Sequence, residues 1–195
     1  MNDVRKLAIG TAKFGSSYGM AGNNNQRIEL SEVRKIFDFA RKMKISTLDT
    51  ASQYGDSEKV LGKIGVSDFN LITKLPNLSN IEGNIEEKIN IFTSDSLSYL
   101  NESFLYGLLV HQAKDLLSKR GEIIYKNLIQ LKQEGLVSKI GVSVYESSEV
   151  KILTNNFDID IIQAPFNIID NRLIDSGVMK NLNDSGIELH VRSVF

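Results

Sequence analysis

The chain has no cysteine among its 195 residues. This excludes disulfides and thiolate-ligated metals, and is compatible with a reducing compartment. Histidine is scarce as well: there are two, with no HExxH spacing, so a zinc centre has no ligand set. Two prolines leave little of the punctuation that marks linkers, and no low-complexity tract interrupts the chain. No excess of one charge exists either. Lys plus Arg (23) balances Asp plus Glu (24), so no basic field points to nucleic acid or anionic lipid. No apolar run approaches the roughly 20 residues that span a bilayer, and the opening MNDVRKLAIG lacks a signal-peptide core. Glycine-rich GxGxxG and P-loop patterns are missing, so neither a Rossmann nor a Walker nucleotide site is supported. The expectation is one cytoplasmic domain over residues 1–195, without nucleic-acid or membrane partners.

What the sequence does contain is regular alternation. Apolar runs at Leu7–Phe14, Ser46–Thr50, Phe69–Leu75, Tyr106–Val110, Lys139–Val144, Asp160–Phe166 and Ile187–Phe195 read as strands buried on both faces. Between them lie helical stripes. Val33, Ile36, Phe37, Ala40 and Met43 share one face after Ser31, a candidate N-cap. Ile85, Ile89, Phe92 and Leu100 form a second stripe, and Ile124, Leu128 and Leu131 a third, closed by Gly135. Ser57–Ile64, Ser147–Asn155 and Arg172–Asp184 complete six helices. Strict strand–helix alternation implies right-handed crossovers and a parallel α/β sheet. Seven strands exceed the usual open flavodoxin-like sheet and fit a (β/α)8 TIM barrel lacking its last strand and last two helices. The polar loop Ser16–Arg27 would then lie on the face where barrel loops carry function.

Four polar residues follow or end three consecutive runs: Asp49 and Tyr54 in STLDTASQYG, Lys74 in FNLITKLP, and His111 in YGLLVHQ. Delivered by successive strand ends, they would meet on one rim. When hydride adds to a carbonyl, negative charge grows on oxygen, so the site needs a proton donor and fixed positive polarity there. A free phenol, with a pKa near ~10, is a poor donor at neutral pH. A neighbouring ammonium favours the phenolate and brings the phenol closer to the working range. Asp49 could hold Lys74 charged and oriented, and His111 could position the carbonyl oxygen.

These residues and their flanks resemble the aldo-keto reductases. GTAKFG, DTASQYGDSEKVLG, ITKL, LLVHQ and GLVSKIGVSVY occur in that family's order and spacing, and the resemblance runs from Leu7 to Phe195. It implies that Asp49, Tyr54, Lys74 and His111 form the catalytic tetrad, with Tyr54 as general acid. The implied reaction is NADPH-dependent reduction of a small-molecule aldehyde, ketone or sugar carbonyl. The implied cofactor contacts are Gly10 and Thr11 near the nicotinamide, Ser143 and Gln163 at its carboxamide, and Ser193 toward the pyrophosphate. Two positions depart from the family pattern: Val144 replaces a frequent asparagine, and Arg192 replaces a frequent stacking aromatic. GTAKFGSSYG, QAPFNIIDNRL and HVRSVF are more similar to a bacterial subgroup linked to sugar and surface-polysaccharide pathways. The stretch that in the family follows the seventh strand and supplies most pyrophosphate and 2′-phosphate contacts lies beyond Phe195.

Plainer readings exist for each residue. Asp49 could cap the following helix, Lys74 could be a solvated rim charge, Tyr54 could pack as an ordinary aromatic, and His111 and His190 could be structural. Arg172 and Asp170 could fix a loop, and Lys114–Gln133 reads as a solvated helix face. Two rival functions also remain. Lys74 could form a Schiff base in an aldolase, or the chain could be an inactive, open barrel whose unpaired edges recruit a partner.

Overall fold

A computed structural model describes residues 6–15 and 28–194. The expected loop Ser16–Arg27 and the expected strand end at Phe195 lie outside the described residues. The chain divides into two compact units, Met1–Pro76 with Asn90–Tyr106, and Asn77–Ile89 with Gly107–Phe195.

The first unit holds β1 (Ala8–Gly10), α1 (Ala12–Gly15), α2 (Leu30–Lys42), β2 (Thr47–Asp49), α3 (Ser57–Ile64) and β3 (Asn70–Lys74). Most of α4 (Ile85–Leu100) and the start of β4 (Leu105–Val110) also belong to it. β1 pairs parallel with β2, and β2 with β3, in a register that sets Gly10 beside Asp49 and Asp49 beside Ile72. The second unit continues through α5 (Ala113–Leu116), α6 (Gly121–Gln133), β5 (Val137–Ser143), α7 (Ser147–Asn156), β6 (Ile161–Pro165), α8 (Arg172–Asp175), α9 (Val178–Asp184) and β7 (Glu188–Arg192). Here Ser143 faces Gln163, and Gln163 faces His190, across parallel pairs. Strand order follows chain order from β1 to β7. That sequential parallel order, with a helix in each connection, is the pattern of a (β/α)8 barrel, of which seven strands fall among the described residues.

The six helices expected from apolar periodicity correspond to the longer segments α2, α3, α4, α6, α7 and α9, with α8 as a separate turn. Gly177, at φ 71°, divides α8 from α9 in what reads as one helix by periodicity. The first strand is shorter than its apolar run. It ends at Gly10: the Thr11 amide makes the last ladder bond, to the Asp49 carbonyl, and Ala12–Gly15 then coil into a helical turn. Ser31 lies inside α2 rather than at its cap; the helix starts from extended Glu29, whose carbonyl accepts the Glu32 and Val33 amides. Gly135 takes the left-handed conformation (φ 77°) expected after α6.

The turn of α1 exists because Phe14 is buried against Phe37 of α2, ring centroids 6.0 Å apart, and Phe37 meets Phe69 edge-on at 5.4 Å. Arg41 closes this cluster from above. Its guanidinium lies 5.3 Å from the Phe69 ring and bonds both Asp68 oxygens and the Gly65 carbonyl. In the second unit Asp160 plays the anchoring part, accepting Lys132 Nζ and the Ile140 amide at the start of β6. Buried Asp115 does the same for the 78–79 turn, accepting the Leu78 amide and the Ser79 hydroxyl.

Phe37 is fully buried and touches both other rings. Phe37→Ala is expected to cost about 3–5 kcal/mol of unfolding free energy by urea titration. A loss under roughly 1 kcal/mol would mean that the aromatic cluster does not carry the packing of α2.

Candidate active site

The site residues of the first unit are gathered by the ends of β2 and β3. Lys74 is the last residue of β3, and its side chain runs into the interior with only 1% of its surface exposed. A buried ammonium survives only if its protons are satisfied. Nζ donates to Asp49 Oδ1 at 2.7 Å and to the Thr50 carbonyl at 2.9 Å. The same nitrogen lies 5.2 Å from the centroid of the Tyr54 ring, within range of a cation–π contact. An acid, an ammonium and a phenol are thus in one cluster. Asp49 does not cap α3, whose N-cap is Asp56, and Lys74 is not a solvated rim charge.

Tyr54 sits half-buried in the turn between β2 and α3. Upstream, Ser52 fastens the turn to β3: its amide and its hydroxyl both donate to the Lys74 carbonyl, at 3.1 and 2.9 Å. Downstream, Ser57 is completely buried, with Oγ 2.8 Å from Thr11 Oγ1, 3.0 Å from the Thr11 carbonyl and 3.1 Å from Thr50 Oγ1. Thr11 Oγ1 in turn donates to the Asp49 carbonyl. Glu58 is buried too, accepting Thr73 Oγ1 at 2.6 Å and Ser96 Oγ at 3.2 Å. Burial pushes its carboxyl above the ordinary 4.5, against the two hydroxyl donors, and the neighbouring Asp95 carboxylate adds to the rise. Gly15 is the remaining brace. A Cβ there would stand 1.9 Å from the Tyr54 carbonyl and 2.2 Å from the Ser57 amide, so only glycine fits.

Gly10 ends β1 beside Asp49, and no described residue other than its chain neighbours lies within 4 Å of where a side chain would project. Thr11 is wholly buried: its amide and hydroxyl both donate to the Asp49 carbonyl, and its own carbonyl accepts the Phe14 amide and the Ser57 hydroxyl. In the second unit, His111 is half-buried directly after β4. Ser143 and Gln163 are register partners at the ends of β5 and β6, both nearly buried. Ser193 follows β7 in a left-handed conformation, φ 57°, and its carbonyl accepts Asn167 Nδ2. Arg192 donates to the Val144 carbonyl and lies 4.2 Å from the Tyr145 ring centroid, a cation–π contact. Arg172 is held by Asp170 and Glu146, a loop brace, and His190 contacts Glu188.

The sequence reading passed over Ser57, Glu58 and Gly15. A signal for the first two was present: they stand four and three residues before Leu61, on the apolar face of α3. Polar side chains on a core-facing stripe need buried partners, and the partners are hydroxyls at strand ends and, for Glu58, also Ser96 of α4. Gly15 gave no such sign, because its constraint comes from a distant backbone.

Residues 6–195 match the Aldo/keto reductase family. No curated protein matches the sequence. Among solved structures, the chain is similar to a Pseudomonas aeruginosa protein assigned to the aldo-keto reductases, at 22% identity and TM-score 0.80, covering 95% of this chain and 72% of that one. It is also similar to the holo form of the aldo-keto reductase AKR11C1 from Bacillus halodurans (22% identity, TM-score 0.77, 96% of this chain and 61% of that one). An aldo/keto reductase from Brucella melitensis matches at 22% identity and TM-score 0.69, over 97% of this chain and 68% of that one. At these identities the likenesses speak for the fold.

The buried carboxyl of Glu58 gives a pH prediction with a definite sign. Its folded pKa lies above its unfolded value, so the fold binds the proton more tightly. Its effect on stability is absent below about pH 4.5, and a destabilising contribution grows as pH rises through the folded pKa. Unfolding free energies of Glu58→Gln minus the parent are therefore expected to increase as pH is raised from about 4.5 and then level off. A difference that stays flat with pH would show that Glu58 is ordinarily ionised in the fold.

Proposed function

The chain belongs to the aldo/keto reductase family, a family of oxidoreductases, and we propose that it reduces a small-molecule aldehyde, ketone or sugar carbonyl with NADPH, Tyr54 acting as general acid. The observation that carries this reading is the placement of Lys74 Nζ, 2.7 Å from Asp49 Oδ1 and 5.2 Å from the Tyr54 ring.

The roles follow from the chemistry of each group. Tyr54 gives its proton to the carbonyl oxygen as charge grows there, and the ammonium of Lys74 stabilises the phenolate left behind. Asp49 and the Thr50 carbonyl keep that ammonium charged and fixed in direction, so no reorganisation is needed during the step. His111 is assigned, by its motif, the hydrogen bond that orients the carbonyl oxygen. The same bonds argue against the Schiff-base alternative. A nucleophilic lysine must be neutral and free to attack, whereas Lys74 Nζ is buried between a carboxylate and a carbonyl, both of which favour the ammonium.

The residues present fit a nicotinamide cofactor. The hydroxyl of Ser143 and the amide of Gln163, in register on neighbouring strands, form a donor and acceptor set suited to a carboxamide. At Gly10, the end of β1, no described residue would meet a side chain, and Ser193 is assigned to the pyrophosphate side. When bound, the cofactor supplies the hydride. In this reading residues 1–195 act as one cytoplasmic barrel domain. The small-molecule substrate rests on membership of the aldo/keto reductase family.

Tyr54→Phe is expected to lower kcat for carbonyl reduction by about 10²–10⁴-fold. Its dissociation constant for NADPH, by fluorescence titration, should stay within roughly threefold of the parent, under 1 kcal/mol. Turnover unchanged in that variant would remove Tyr54 from the acid role.

A further inference from the structure

We propose that Ser57 and Glu58, neighbours in the first turn of α3, are positioning residues for this reduction, clamping the Tyr54 turn onto the strand ends that carry Asp49 and Lys74. The inference rests on the assignment of Tyr54 as the acid and adds two residues to it.

The N-cap position of α3 is Asp56, and Ser57 and Glu58 are its first two helical residues. α3 has no side-chain cap bond; Ser57 and Glu58 instead turn inward and bond the ends of other elements. Two of their partners, Thr50 and Thr73, are the sequence neighbours of Asp49 and Lys74. Ser57 reaches Thr50, whose carbonyl holds Lys74 Nζ, and Thr11, whose hydroxyl holds the Asp49 carbonyl. Glu58 reaches Thr73, the residue before Lys74. Between these anchors and the Ser52–Lys74 bonds lie only Gln53 to Asp56, with Tyr54 among them. The turn is closed internally, Tyr54 N to the Ala51 carbonyl at 3.0 Å and Ser57 N to the Tyr54 carbonyl at 3.1 Å. The chain is therefore fastened to β3 on both sides of the phenol, and to β1 and β2 on one side. A shift in the first turn of α3 would move the ring relative to the ammonium.

A merely structural role would be served as well by apolar side chains, which carry no directional constraint. Directional bonds to residues 11, 50 and 73 constrain where the turn sits, and the rate of a proton transfer depends steeply on such placement. Glu58 also carries the cost of a buried carboxyl, held by two hydroxyl donors.

The test uses the full chain with Ser57→Ala, Thr73→Val and the conservative Ser57→Thr. Asp68→Asn serves as the control, since it weakens the Arg41 ion pair at the end of α2 without touching the clamp. Two readouts are taken on each: kcat and KM for a reducible aldehyde, and the pH titration of the Tyr54 phenol by ultraviolet absorbance. Tyr54→Phe supplies the background for the phenol. Ser57→Ala and Thr73→Val are expected to raise the midpoint of the phenol titration by on the order of one pH unit, and to lower kcat about tenfold or more. KM should change little, and Ser57→Thr should restore both. Thr73→Val, close to isosteric, keeps the test open should Ser57→Ala fail to fold. Phenol titration and kcat that stay at parental values in folded Ser57→Ala and Thr73→Val, with stability lowered as in Asp68→Asn, would overturn the clamp. Full turnover in Tyr54→Phe would instead overturn the acid assignment, and with it the catalytic meaning of the clamp; the phenol titration tells these two failures apart.

Discussion

The arrangement around Tyr54 depends on one buried ammonium. Lys74 lies at the end of β3 with its nitrogen out of water, a state that costs several kcal/mol unless the charge is matched. The match comes from the Asp49 carboxylate and the Thr50 carbonyl, both at the end of β2. This bond set joins two adjacent parallel strands at their C-terminal ends and aims a fixed positive charge at the turn that follows β2. A carboxylate alone could neutralise the lysine in several geometries. Adding a backbone carbonyl, whose position is set by the sheet ladder, reduces these to one.

The turn that receives this charge is held by polar bonds rather than by apolar packing. Ser52, Ser57 and Glu58 each reach a strand end or its neighbour, and Gly15 allows α1 to approach the turn's backbone. Packing among Phe14, Phe37 and Phe69 stabilises the unit without dictating direction at the scale of a hydrogen bond. The first unit therefore separates two tasks. Non-directional burial supplies stability, and a small number of buried hydroxyls supply placement.

In the second unit the corresponding feature is register. Ser143 and Gln163 are brought side by side because β5 and β6 are parallel and aligned residue for residue. Asp160 contributes to that alignment by bonding the Ile140 amide at the start of the ladder. A one-residue slip would turn the Gln163 side chain to the opposite face of the sheet. The same logic makes Arg192 informative. Its guanidinium lies 4.2 Å from the Tyr145 ring centroid and donates to the Val144 carbonyl, tying the end of β7 to the end of β5.

The strand–helix alternation, the six longer helices and the grouping of Asp49, Tyr54 and Lys74 were legible in the sequence. Apolar periodicity is a local property, and buried parallel strands announce themselves as continuous runs. The early end of β1, the start of α2 at Leu30 and the break at Gly177 were not legible, since each depends on a competing local bond or a backbone conformation that hydropathy does not encode. At the site the division is similar. Residue chemistry and order along the chain named the acid, the ammonium and the phenol, but not the carbonyl of Thr50 as the second holder of Lys74, nor Ser57 and Glu58 as buried braces. Those assignments depend on which atoms meet across strands tens of residues apart in sequence, and only the folded chain decides that.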